Sequence, residues 1–159
     1  MIKQLSLPVI FLVLFTVISL TSCDDNRVYD TSYTVPSMKW HMDSIYRFEI
    51  PITDTVNPHN VLLQIRNSGD YKYRNLYLYV KIEFPNRKSL TDTVNCMLAD
   101  VTGKWLGSGW GSLWSSSVLY KRRIRFPMSG NYRISVQHAM RDTVLKAINN
   151  IGIRVEKSE

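Results

Sequence analysis

Leu76, Leu78, Val80, Ile82 and Phe84 alternate with Tyr77, Tyr79, Lys81 and Glu83, so one side of this run is apolar and the other carries polar or amphipathic groups. A period of two puts each set on its own face of an extended chain, which predicts a half-buried antiparallel strand. The same alternation recurs at Tyr46, Phe48, Ile50 and Ile52, at Val61, Leu63 and Ile65, at Leu90, Asp92, Val94, Cys96 and Leu98, and at Tyr132, Ile134 and Val136. Two more strands are expected over Val118 to Phe126 and Ile151 to Val155. Between them stand Asn57-Pro58, Asn67-Ser68-Gly69-Asp70, Pro85-Asn86, Asp100 to Gly103, and Ser129-Gly130-Asn131. These residue types either preset or tolerate turn dihedrals. About seven to eight short strands with this punctuation predict an all-β chain, a single antiparallel β-sandwich that is Ig-like or jelly-roll-like. Residues 139–150 fit the pattern least and leave room for a helical turn.

Residues 5–20 break the alternation, being almost continuously apolar, and Lys3 is the only charge before Asp24. That run is short for a membrane span and has the length and flanks of a secretory leader. Pro8 also argues against a stable spanning helix. Leu20-Thr21-Ser22-Cys23 follows directly. A branched residue, two small ones and a cysteine match the bacterial lipobox, in which the thiol is diacylated before cleavage. The expected organisation is therefore a signal peptide over 1–22, a lipidated tether over 23–39 and a β-sandwich domain over 40–159. Cys23 is the lipid attachment site, and its diacylglyceryl group makes the membrane a partner.

Loss of the leader leaves one domain's worth of chain. The formal net charge is +7, and removal of Lys3 leaves the chain basic, which favours anionic partners without naming one. An exported chain has no nucleic acid to meet. Cys96 is the only other cysteine, so acylation of Cys23 excludes a disulfide framework. Cys96 falls on the apolar side of its strand and is expected to be a buried, inert thiol. His41, His59 and His138 lie in separate segments without ligand spacing, so no metal and no cofactor is expected. His138 continues the apolar face of the Tyr132 strand. No nucleophile elbow, phosphate loop or carboxylate pair appears, and the chain is read as no enzyme.

Three groups of residues are candidates for recognition. Trp105, Trp110 and Trp114 sit among Gly103, Gly107, Gly109 and Gly111. Indoles on such a loop either stack on sugars and anchor a partner or fold back to close the sandwich. Lys121, Arg123 and Arg125 are expected to project together from the outer face of a strand, with Arg122 turned inward. They form either a docking face for an acidic partner or a charged surface that discourages aggregation. Asp43-Ser44, Asp54-Thr55, Asp92-Thr93 and Asp142-Thr143 each precede an aliphatic residue. This repetition resembles the O-glycosylation sequon of exported Bacteroidetes proteins and makes Ser44, Thr55, Thr93 and Thr143 candidate sites. The alternative is ordinary turn chemistry at strand ends.

The whole chain resembles the gliding-motility lipoprotein GldH family of Bacteroidetes. The resemblance is carried by the lipobox, Asn75-Leu76-Tyr77-Leu78, Phe84-Pro85-Asn86, Leu98-Ala99-Asp100 leading into Gly103-Lys104-Trp105-Leu106-Gly107-Ser108-Gly109, Phe126-Pro127 before Ser129-Gly130-Asn131-Tyr132, and Gln137-His138-Ala139-Met140-Arg141. It implies an envelope lipoprotein among the proteins of the gliding machinery and its linked secretion apparatus, and it supplies no catalytic residues. Asp24 and Asp25 resemble an export signal of that phylum, which favours the outer membrane. Two functions follow as expectations: a non-catalytic accessory component of a motility and secretion complex, or an envelope glycan- or cell-wall-binding module using the Trp/Gly-rich loop.

Overall fold

The computed structural model describes residues 26–158, so Cys23 and the leader lie outside the described residues. Among the described residues there are eleven strands: β1 (Arg27–Thr34), β2 (Lys39–His41), β3 (Tyr46–Ile52), β4 (His59–Ser68), β5 (Asn75–Glu83), β6 (Ser89–Met97), β7 (Ser108–Trp110), β8 (Leu113–Ile124), β9 (Gly130–His138), β10 (Val144–Lys146) and β11 (Ile148–Lys157). They form a five-stranded sheet in the order β1-β11-β4-β8-β7, a four-stranded sheet in the order β3-β9-β5-β6, and a small β2-β10 ribbon. Every pairing is antiparallel.

Alternation explains how the two large sheets meet. Phe48, Ile50, Leu76, Leu78, Val80, Tyr132, Ile134 and Val136 line the inner face of the four-stranded sheet and are almost completely buried. Val61, Leu63, Ile65, Ile151, Ile153 and Val155 answer them from the other sheet in the same core cluster. Burial of each such side chain is worth about 1.5–3 kcal/mol relative to exposure, which offsets the entropy of ordering so many short strands. The ribbon adds Trp40 and Leu145, both fully buried in that cluster. The opposite end is filled by His59, Phe126, Tyr132 and Phe84, whose rings meet edge to face at 5.0–5.6 Å between centroids.

The sides of the sandwich are tied by two different devices. Tyr33 of β1 packs on Phe48 and Tyr46 of β3, and its hydroxyl donates to the Arg47 carbonyl at 3.1 Å. Across from it, the Asp92 carboxylate of β6 accepts from the Tyr120 hydroxyl and the Lys121 ammonium of β8, each at 2.6 Å. The hydrogen bonds from Lys121 and then Tyr120 hold the Asp92 carboxyl below the usual aspartate range. A depressed pKa means stability that is present above the unfolded value near ~4 and is lost as pH falls through the folded one. Asp92→Ala is therefore expected to cost about 1 kcal/mol at neutral pH, with its difference from the parent shrinking in urea titrations taken below about pH 4. A pH-independent difference would contradict that assignment.

Three expectations need correction. The stretch 23–39 is not a tether throughout: Arg27–Thr34 is an edge strand of the five-stranded sheet, and Pro36–Met38 is a 3-10 turn. Its polar residues point out of an edge strand, while Tyr29 and Val35 join the core. Residues 139–150 hold β10 rather than a helical turn. The Val118 to Phe126 strand begins earlier, at Leu113, and ends at Ile124.

Candidate functional site

The Trp/Gly segment forms the β7-β8 hairpin, with Trp110 paired to Leu113 across the two-residue turn Gly111-Ser112. Gly111 takes φ 64, the positive value that a tight hairpin turn requires at its first central position. The three indoles separate. Trp105 bridges to Ala99 and packs against the core. Trp114 lies over Gly109, where an added Cβ would meet the ring at 2.5 Å. Trp110 stands at the tip and is 94% exposed. The fold thus uses two rings structurally and presents one.

The basic strand is also rearranged. Val61 faces Lys121 but Leu62 faces Leu119, so Tyr120 is an extra residue, and a second irregularity lies between the pairings of His59 and Val61. Two bulges so close together reset the faces. Lys121 turns to Asp92, Arg125 donates from Nε to the Val56 carbonyl at 3.0 Å, and Arg122 is exposed rather than inward. Arg123 adopts φ 50 and its N–H donates to Asn60 Oδ1 at 3.0 Å. No common face of Lys121, Arg123 and Arg125 results. Instead Arg122, Arg123 and Lys157 gather around Asn26 and Asn60, at the end of the sandwich where the described chain begins.

The face that sequence reasoning missed is the outside of the five-stranded sheet. Register places Thr34, Asn150, Arg66, Ser115 and Ser108 in one cross-strand row, and Ser32, Gly152, Gln64 and Ser117 in the next. Of these, Ser32, Gln64, Arg66, Ser108, Ser115, Ser117 and Asn150 line a shallow groove of about 360 Å³. At Gly152 an added Cβ would come within 2.9 Å of Gln64 Oε1, the Ser32 side chain and the Thr31 carbonyl, so glycine is what lets these groups lie low. The available signal was the alternation Leu113, Ser115, Ser117, Leu119, masked because a serine run resembles a loop.

The four candidate modification sites are scattered. Ser44, Thr93 and Thr143 are exposed, and Thr55 is half-buried. Asp54 accepts from Asn57 and from the Val56 N–H at 3.0 Å, which holds its carboxyl down at about 2 and accounts for that triplet as a turn. Asp142 accepts from Lys72 and Tyr73, again a structural role. Cys96 is fully buried, and desolvation pushes its thiol up to about 12, far from a nucleophile's range. His138 is buried with Nε2 3.2 Å from the Trp40 carbonyl, and burial lowers its pKa. His59 is buried against Phe126, while His41 lies exposed beside Asp43. Among the described residues no group of three or more His, Cys, Asp or Glu converges as a metal site.

Comparison with known proteins agrees over nearly the full length. The family described as GldH lipoprotein matches residues 27–155. A protein named gliding motility lipoprotein GldH homolog, from Christiangramia forsetii, is 37% identical over 94% of this chain and 96% of its own. The gliding motility lipoprotein GldH of Flavobacterium johnsoniae is 30% identical over 93% of this chain and 96% of its own. Among solved structures, dimeric latent PorU from Porphyromonas gingivalis aligns with 84% of this chain and 13% of its own at 10% identity, with a TM-score of 0.29.

Proposed function

The chain belongs to the GldH lipoprotein family, and on that premise we propose that it is a non-catalytic, outer-membrane-associated accessory component of a gliding-motility machinery and its linked secretion apparatus. The observation that carries this reading is the short distance between anchor and fold. Cys23 precedes Asn26 by three residues, a reach of at most about 10 Å even when fully extended. A diacylated Cys23 therefore holds the Asn26 end of the sandwich against the headgroups. Arg122, Arg123 and Lys157 line the same surface cleft as Asn26, and with Glu156 also lining it they leave a net positive charge there.

β1 runs away from that end, from Arg27 to Thr34, over about 23 Å. The β7-β8 tip bearing Trp110 lies beyond the Thr34 row and so faces away from the anchored surface. Confinement to a thin layer raises the domain's effective concentration toward neighbouring envelope components, so a modest interface suffices for an accessory role. Photo-crosslinking in cells from position 110, followed by recovery of the membrane fraction, tests the reading. Other proteins of the motility or secretion apparatus are expected among the products. Recovery of this chain alone, with motility and secretion unchanged on its deletion, would contradict it.

A further inference from the structure

We infer that the outer face of the five-stranded sheet is a binding groove for an acidic oligosaccharide, with Trp110 as its stacking platform and Arg66 as the partner of the sugar acid. This site is separate from the anchored end and does not depend on the accessory role. Its floor is built from small and amide side chains: Ser32 and Gln64 flank Gly152 in one row, with Ser117 beyond Gln64, and Asn150, Arg66 and Ser115 follow in the next. A groove of about 360 Å³ so lined offers hydroxyl and amide groups at strand spacing, about 4.8 Å across strands, which suits the dense hydroxyls of a sugar chain.

Trp110 lies on the same face, two residues beyond Ser108 on β7. An indole 94% exposed leaves apolar area in water that a sugar ring's flat face would cover. Arg66 is exposed, and among the described residues it has no carboxylate partner, whereas Arg154 on the neighbouring strand is held by Asp30 and Glu156. A guanidinium left free in a field of neutral groups suits a carboxylate, which it engages through two parallel hydrogen bonds. The charge complementarity thus selects an acidic sugar over a neutral one, and the hydroxyl-rich floor selects a sugar over an acidic peptide.

Titration calorimetry on the full lipidated protein in detergent tests the site, using tetragalacturonate, the neutral chitotetraose and an acidic hexapeptide as probes. Tetragalacturonate is expected to bind more tightly than both other probes. Trp110→Ala and Arg66→Ala are each expected to weaken it about tenfold or more, the scale of losing one interface anchor. Tyr79→Ala, on the exposed face of the other sheet, serves as a control and should leave binding unchanged. No binding of tetragalacturonate, equal binding of chitotetraose or the peptide, or binding that survives either groove substitution would overturn the proposal. Both groove side chains are exposed, so loss of folding does not confuse the reading.

Discussion

Trp40→Ala is expected to destabilise the folded domain by about 3–5 kcal/mol, measured as a lowered urea midpoint with little change in slope. Trp40 is fully buried, and its ring meets Tyr46 and His138 edge to face, each at 5.4 Å between centroids. Its indole N–H donates to the Ser44 carbonyl at 2.9 Å, which pins the turn between β2 and β3. Truncation removes the largest side chain of the ribbon, opens a cavity at that end of the core and leaves the turn without its donor. A loss of this size is a large share of the roughly 5–15 kcal/mol that holds a domain of ordinary stability. Trp40→Phe keeps most of the packing and is expected to cost less. A midpoint unchanged by Trp40→Ala would mean that the β2-β10 ribbon is not an integral part of the fold.

The ribbon also shows where sequence patterning stops. Strands such as β5 and β9 were legible because each spans nine residues with one buried face, and burial of that face dictates the period. β2, β7 and β10 have three residues each, too few for any period, and exist because neighbouring strands offer them partners. β1 is different. Tyr29, Thr31, Tyr33 and Val35 do alternate, but an edge strand with polar neighbours has the composition of a linker, and that composition hid the pattern.

The site residues divide the same way. Residue type alone identified Trp110 as a candidate, yet only tertiary contacts separate it from Trp105 and Trp114, which have the same glycine-rich surroundings. The basic strand misled because alternation assumes an unbroken register, and two bulges in β8 break it. The serine groove depends on register between four strands remote in sequence, which no local window contains. Cys96, by contrast, was legible from its place in one strand, and it lies fully buried.

Anchoring is the centre of this account, and its largest expected effect belongs to Cys23. Cys23 lies outside the described residues and upstream of the first strand at Arg27, so the substitution Cys23→Ala replaces no residue of the described core. On the proposed anchoring it removes the thiol that would be acylated, and acyl chains contribute about 0.8 kcal/mol of membrane affinity for each methylene buried. The measurement is fractionation of cells expressing Cys23→Ala, with metabolic lipid labelling and a urea melt of the released protein. The expected result is a chain that moves from the membrane to the soluble fraction, takes up no lipid label and unfolds at the same midpoint as the sandwich of the parent. A Cys23→Ala protein that still carries lipid label and stays with the membrane would contradict the account.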